Sequence, residues 1–130
     1  MTDPIAAWHA FVETRSPRTL ERLLHEDAVF ESPVVHTPQQ GRPMVMAYLM
    51  GAAEVLGADS FRYLGEWRAE RSAVLEFECR LDAIVVNGVD MIWWDEDGRI
   101  TRFKVMIRPM KAVHEVARRM GEMLERLKGG

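Results

Sequence analysis

A few residues set among apolar neighbours carry whatever chemistry this chain can do. The stretch GVDMIWWDEDGRI, residues 88–100, places Asp90 in a run with Val89, Met91, Ile92, Trp93 and Trp94. A carboxylate in such a strand faces water, finds a partner or keeps its proton. If Asp90 turns inward, its pKa rises, and it can donate a hydrogen bond to a ligand oxygen or act as an acid or base. His36, in the loop PVVHTPQQG, is the histidine placed to supply a second acid or base. His9, His25 and His114 read as helical, and no two histidines have metal-ligand spacing, so neither a zinc site nor another cofactor is expected. Cys79, the single cysteine, lies in LEFECRL at strand spacing from Phe77 and Leu81 and reads as a buried small hydrophobe.

These residues must be held by helices and strands whose signals succeed one another along the chain. Asp3-Pro4 and Ser16-Pro17 are helix starts, each a capping side chain followed by proline at the first helical position. Ile5, Trp8, Phe11 and Val12 form the apolar face of the first helix; Leu20, Leu23 and Leu24 form that of the second. Residues 28–32, AVFES, read as a brief strand. Pro43 opens a third helix with Val45, Tyr48, Leu49, Ala52 and Leu56 at helical spacing, ended by Gly57.

From Ser60 the hydrophobic period changes from 3.6 to 2. Phe61, Tyr63 and Trp67 share one face, as do Leu75, Phe77, Cys79 and Leu81, with Glu76, Glu78, Arg80 and Asp82 opposite. RITRFKVMIRP alternates in the same way, with Phe103, Val105 and Ile107 inward. Residues 1–57 are therefore expected to be mainly helical, 58–110 an antiparallel sheet and 111–128 a closing helix with Val113, Val116, Met120, Met123, Leu124 and Leu127 in its stripe. The order makes a single α+β domain with helices on one face of a curved sheet.

The loop at DEDG sets which way Asp90 points. A two- or four-residue loop pairs Asp90 with Phe103 and turns it inward, whereas a three-residue loop pairs it with Lys104. A type I turn ending on a left-handed Gly98 favours four residues. Asp90 is therefore expected inward, with Met91 and Trp93 on the outer face in need of cover.

The helix pair, HEDAVFESPVVHTPQQGRPMVMAYL and GVDMIWWDEDGRITRFKVMIRP resemble the nuclear-transport-factor-2-like superfamily, specifically its SnoaL-like bacterial members. The resemblance covers nearly the whole chain. It implies a cone-shaped curved antiparallel sheet, N-terminal helices on its concave face, a deep apolar pocket and a homodimer joined through sheet faces. Trp8, Phe30, Ser32, Tyr48, Trp67, Phe77, Trp94 and Phe103 are the expected ligand contacts, with Met44, Met46 and Met50 adding an adaptable wall and His36 near the mouth. Motif matching to ketosteroid isomerase, a relative, puts Asp90 on that enzyme's protonated acid, but Ser32 on its base and Trp8 on its tyrosine donor. Serine cannot abstract a carbon-bound proton unaided, and an indole offers one donor and no titratable proton. Limonene-epoxide hydrolase is matched by Arg80 and Asp82, which alternation assigns to a solvated face beside Glu76 and Glu78.

Composition bounds the function classes. The chain has 130 residues, 48% hydrophobic, which fits one domain with one core. Its net charge of -3 argues against a nucleic-acid binder, whose phosphate contacts need a basic face. Arg118, Arg119, Arg126 and Lys128 intermingle with Glu115, Glu122 and Glu125, as on a solvated helix face. No apolar run could span a bilayer and MTDPIAAWHA lacks the basic flank of a signal peptide, so a cytoplasmic protein without membrane contact is expected. Two readings result. One is a SnoaL-like pocket protein acting as an acid/base isomerase, cyclase or dehydratase on a hydrophobic polyketide- or steroid-like compound; the other is a noncatalytic binding or dimerisation module.

Overall fold

Both proline-marked helix starts are used in the computed structural model, which describes residues 3–57 and 59–129, with 127–129 as backbone only. The Asp3 side chain accepts from the Ile5 N–H at 3.2 Å and begins α1, Pro4–Thr14. Arg15 ends it in the left-handed region at φ 56°. Ser16 accepts from the Thr19 N–H at 3.3 Å and begins α2, Pro17–Leu23. Next along the chain are β1 (Leu24–Glu31), β2 (Gln39–Gln40), α3 (Arg42–Leu56), β3 (Arg62–Arg68), β4 (Ser72–Leu81), β5 (Ile84–Trp94), β6 (Ile100–Arg108) and α4 (Met110–Gly129).

The first strand begins earlier than the sequence suggests. Leu24 and Ala28 are fully buried, so the strand runs back through His25, which is not helical, and stops at Glu31, leaving Ser32 in the loop beyond it.

The six strands form one curved sheet in the order β2-β1-β6-β5-β4-β3. Every pairing is antiparallel except β1 with β6, which is parallel, so the sheet is mixed. Helices α1, α3 and α4 cover one face, where Phe11, Phe77, Phe103, Leu75 and Ile92 are almost fully buried. The stripe of α4 is buried through Ala112, Val116, Met120 and Met123 against β5, β6 and α3; the side chains of Leu127 and Lys128 lie outside the described residues. Gly51 lies at the α3–α4 crossing, where a Cβ would lie 2.8 Å from Met123 Cε and that flexible side chain would have to shift.

Two β-bulges decide what the sheet presents to its inner face. The β5–β6 turn holds five residues, Asp95 to Arg99, rather than four; the Asp95 carboxylate accepts from the Asp97 and Arg99 N–H groups, each at 3.0 Å, and Gly98 takes φ 78°. Trp94 pairs with Ile100, and uninterrupted counting from there would put Asp90 opposite Lys104 on the outer face. Thr101 is an extra residue in β6, so Trp93 pairs with Arg102 and Asp90 with Val105. Asp90 therefore points inward, as expected, although the partner is Val105 and not Phe103. In β3, Leu64 is the extra residue: Tyr63 pairs with Phe77, but Gly65 pairs with Glu76. Phe61 and Tyr63 keep the inner face while Trp67 is turned to the outer one, 60% exposed.

Candidate functional site

The site is built where α1, β3 and β5 meet. Tyr63 projects from β3 before the bulge, and its O–H donates to Asp90 Oδ2 at 2.6 Å. From α1 the Trp8 indole N–H donates to the Tyr63 oxygen at 2.8 Å. An indole N–H can only donate. The phenol oxygen therefore accepts from Trp8 and spends its own proton on Asp90, which fixes the direction of the whole chain. Because Oδ2 is the accepting oxygen, a protonated Asp90 carries its hydrogen on Oδ1. Tyr63 is the one hydrogen-bond partner of this carboxyl among the described residues, and it occupies Oδ2 alone.

Electrostatics favour that neutral form. Asp90 is 6% exposed and is the one buried charged-type side chain among the described residues. Burial pushes its carboxyl from 3.8 up to about 7, against the opposing pull of the Tyr63 hydrogen bond. Burial, followed by the Asp90 charge and hydrogen bond, holds the Tyr63 phenol well above its usual range, so the phenol stays a donor at neutral pH. The two groups together hold a single mobile proton that can be lost near pH 7.

Asp90, Tyr63 and Trp8 line one cavity, whose space amounts to about 760 Å³ with its opening to solvent included. Phe30, Ser32, Phe77 and Phe103 line it as well, together with Phe11, Phe61, Val116 and Met120. The walls are thus mostly aromatic and aliphatic, the setting in which a few convergent polar groups orient a small molecule. Ser32 is not poised as a base. Its Oγ accepts from the Val34 N–H at 3.0 Å, a local turn contact.

Several expected positions fall elsewhere. His36 is exposed in the loop before β2 and does not line the cavity, because the chain turns outward after Val34. Tyr48 packs its ring against Phe30, centroids 5.7 Å apart, and stays outside the lining. Trp67 is outward through the β3 bulge. Trp94 is half-buried beside the turn, beyond the cavity's end. Met44 is 47% exposed, and the methionine in the lining is Met120 of α4 rather than Met44, Met46 or Met50. Arg80 is exposed, and Asp82 sits in the β4–β5 turn at φ 57°, paired with Arg119 at 2.9 Å. The epoxide-hydrolase arrangement is therefore not assembled in the cavity. Cys79 is buried with its thiol pushed up to about 11 by burial, which suits packing and not nucleophilic attack.

Sequence reasoning does not single out Tyr63, and it is the residue on which the site turns. The available signal is the alternation that sets Phe61 and Tyr63 on one face. Pairing the phenol with an aspartate 27 residues later requires the sheet.

The family model for the SnoaL-like domain matches residues 5–103, so α4 lies beyond the matched range. A steroid delta-isomerase from Pseudomonas aeruginosa is similar at 38% identity, over 98% of this chain and 93% of that one, with a TM-score of 0.92. An uncharacterized bacterial protein with a cystatin-like fold from Silicibacter pomeroyi is similar at 30% identity, over 94% of this chain and 85% of that one, with a TM-score of 0.85. An NTF2-like protein of unknown function from Mesorhizobium loti, at 18% identity over 82% of this chain and 88% of that one and a TM-score of 0.70, shares the fold. No curated protein matches the sequence significantly. With its mixed curved sheet, covering helices and matched domain, the chain belongs to the SnoaL-like family of the nuclear-transport-factor-2-like superfamily.

Proposed function

We propose that this protein binds a hydrophobic carbonyl compound of steroid-like shape and catalyses proton transfer next to its carbonyl, with Asp90 as the acid/base group. The observation that carries the reading is the Tyr63–Asp90 hydrogen bond of 2.6 Å within an apolar cavity. Neutral Asp90 offers the hydrogen on Oδ1 to the ligand's carbonyl oxygen. Donation there draws electron density away from the adjacent C–H bond and stabilises the enol-like state that isomerisation, cyclisation and dehydration have in common. When that proton has passed to the carbonyl oxygen and a water has taken the adjacent carbon-bound proton, Tyr63 stabilises the carboxylate that remains, and the indole of Trp8 keeps the phenol pointed at it. The similarity to a protein named as a steroid delta-isomerase supports a steroid-like ligand.

A second reading rests on Ser32. Among the described residues the lining contains no carboxylate besides Asp90, so removal of the carbon-bound proton falls to water or to ionised Asp90 itself. A binder of the same ligands without turnover results if neither suffices. The two readings separate in one experiment. The protein is incubated with a β,γ-unsaturated ketosteroid, and formation of the conjugated enone is monitored by its ultraviolet absorbance, with binding read in parallel from tryptophan fluorescence. Turnover that Asp90→Asn abolishes supports catalysis. Binding without turnover supports the binder, and turnover unchanged in Asp90→Asn overturns the assignment of Asp90.

The outer sheet face completes the proposal. Trp67, Met106 and Leu64 are 60%, 50% and 47% exposed there, next to half-buried Val74, Val89, Met91 and Trp93. A face of this kind calls for cover. A second copy, meeting sheet to sheet, is its proposed occupant.

A further inference from the structure

The cavity has a second polar end. Arg15 is the one cationic side chain in the lining among the described residues, and it caps the C-terminal end of α1, beyond Trp8 on that helix. Trp8, Phe11, Val12 and Arg15 fit the i, i+3, i+4, i+7 pattern and all line the cavity. At 1.5 Å per residue Arg15 lies about 10 Å along the helix axis from Trp8, which is bonded to Tyr63, with Phe11 and Val12 between.

The guanidinium is held in place at the rim. Arg15 Nη2 donates to the Gly57 carbonyl at the end of α3, and it rests where a side chain on Gly57 would be, since a Cβ there would collide with Nη2. A guanidinium has five N–H donors, and only one acceptor is found for this one among the described side-chain and backbone partners. No carboxylate lies within ion-pair distance of it among the described residues, in contrast to Arg68, Arg102, Arg118 and Arg119. An aligned, exposed cation with free donors at the mouth of an apolar cavity matches an anionic oxygen pair.

We propose that Arg15 recognises a carboxylate, and that the ligand is a rigid hydrophobic ketone acid whose carboxylate lies at the end remote from its carbonyl. This rests on the reading that Asp90 holds the carbonyl end. The distance along α1 sets the ligand's length, the apolar middle its hydrocarbon body, and the two ends its orientation. A four-ring steroid nucleus with a ketone on its first ring and a carboxylate on its last has this layout.

The test compares two probes of equal shape: progesterone, and the steroid acid in which a carboxylate replaces its acetyl group. Affinities are measured by tryptophan fluorescence and calorimetry at low and high ionic strength, for the wild type, Arg15→Gln and Arg15→Lys. A charge-assisted hydrogen bond at a partly exposed site is expected to favour the acid by about tenfold at low salt. That preference should shrink at high salt, fall to within about twofold in Arg15→Gln and survive in part in Arg15→Lys. Equal affinity for the two probes in the wild type overturns this proposal while leaving the carbonyl-ligand reading intact, and so does an acid preference that persists in Arg15→Gln. Failure of both probes to bind overturns both readings, and binding of progesterone without the acid overturns this proposal alone.

Discussion

Replacing Asp90 by asparagine should alter the pH dependence of folding stability in a way that no neutral core substitution would. In the folded chain the carboxyl titrates at about 7 instead of 3.8, because burial disfavours its charge. Below pH about 4 the group is protonated in both the folded and the unfolded chain and adds no pH dependence. As the pH rises the unfolded chain releases this proton first. Stability therefore falls between pH about 4 and about 7 and levels off above that window. The displacement from 3.8 to about 7 corresponds to about 4 kcal/mol. In the variant the amide oxygen still accepts from the Tyr63 hydroxyl, so the hydrogen bond persists while the titration disappears. The unsatisfied amide N–H adds only a constant offset. Urea denaturation of both proteins at pH about 4, 6 and 8, monitored by tryptophan fluorescence, gives the difference curve directly. The stability of the variant relative to the wild type should rise by about 4 kcal/mol across that range. Two parallel curves, separated by the same offset at every pH, would refute the account of Asp90 as a buried carboxyl that keeps its proton.

Tyr63→Phe should move the Asp90 titration further upward, since it removes the one interaction that favours the charged form. It should also cost about 1–3 kcal/mol in urea denaturation, because the Trp8 indole N–H loses its acceptor. Trp67→Glu, placed on the exposed outer face, should halve the mass seen by sedimentation while leaving the far-ultraviolet circular dichroism unchanged; a mass that does not differ from the wild type removes the sheet-to-sheet dimer.

Much of the fold is legible in the chain because its signals are local. Asp3-Pro4 and Ser16-Pro17 cap their helices as read, and the alternation of Leu75, Phe77, Cys79 and Leu81 marks the inner face of β4. The illegible part depends on single extra residues. Thr101 and Leu64 each shift the register by one and reverse the face of the residues beyond them, which rescues Asp90 from the outer face and sends Trp67 there. Nothing in a run of alternating residues announces a bulge. Parallel pairing of β1 with β6 is equally silent, because it joins segments far apart in the chain, as Phe30 does with Phe103.

The candidate site is half visible for the same reason. Asp90 stands out because a carboxylate among apolar neighbours is costly, and Trp8, Phe30, Phe77 and Phe103 emerge from their apolar stripes. Tyr63 and Arg15 do not, because an amphipathic phenol in an edge strand and an arginine at a helix end are both ordinary until the fold brings them to the cavity. His36 shows the opposite case. Its residue type suits acid/base work, but the loop carries it to the surface.

Titration of the Asp90 carboxyl itself shows whether this group keeps its proton in the folded chain. Carboxyl-carbon NMR of protein labelled at aspartate, with Asp90→Asn to assign the resonance, reads that proton without any assay of function. A single inflection at about 7 is expected, well above the ordinary aspartate value of 3.8. An inflection near 4, the range of an exposed aspartate, would contradict it.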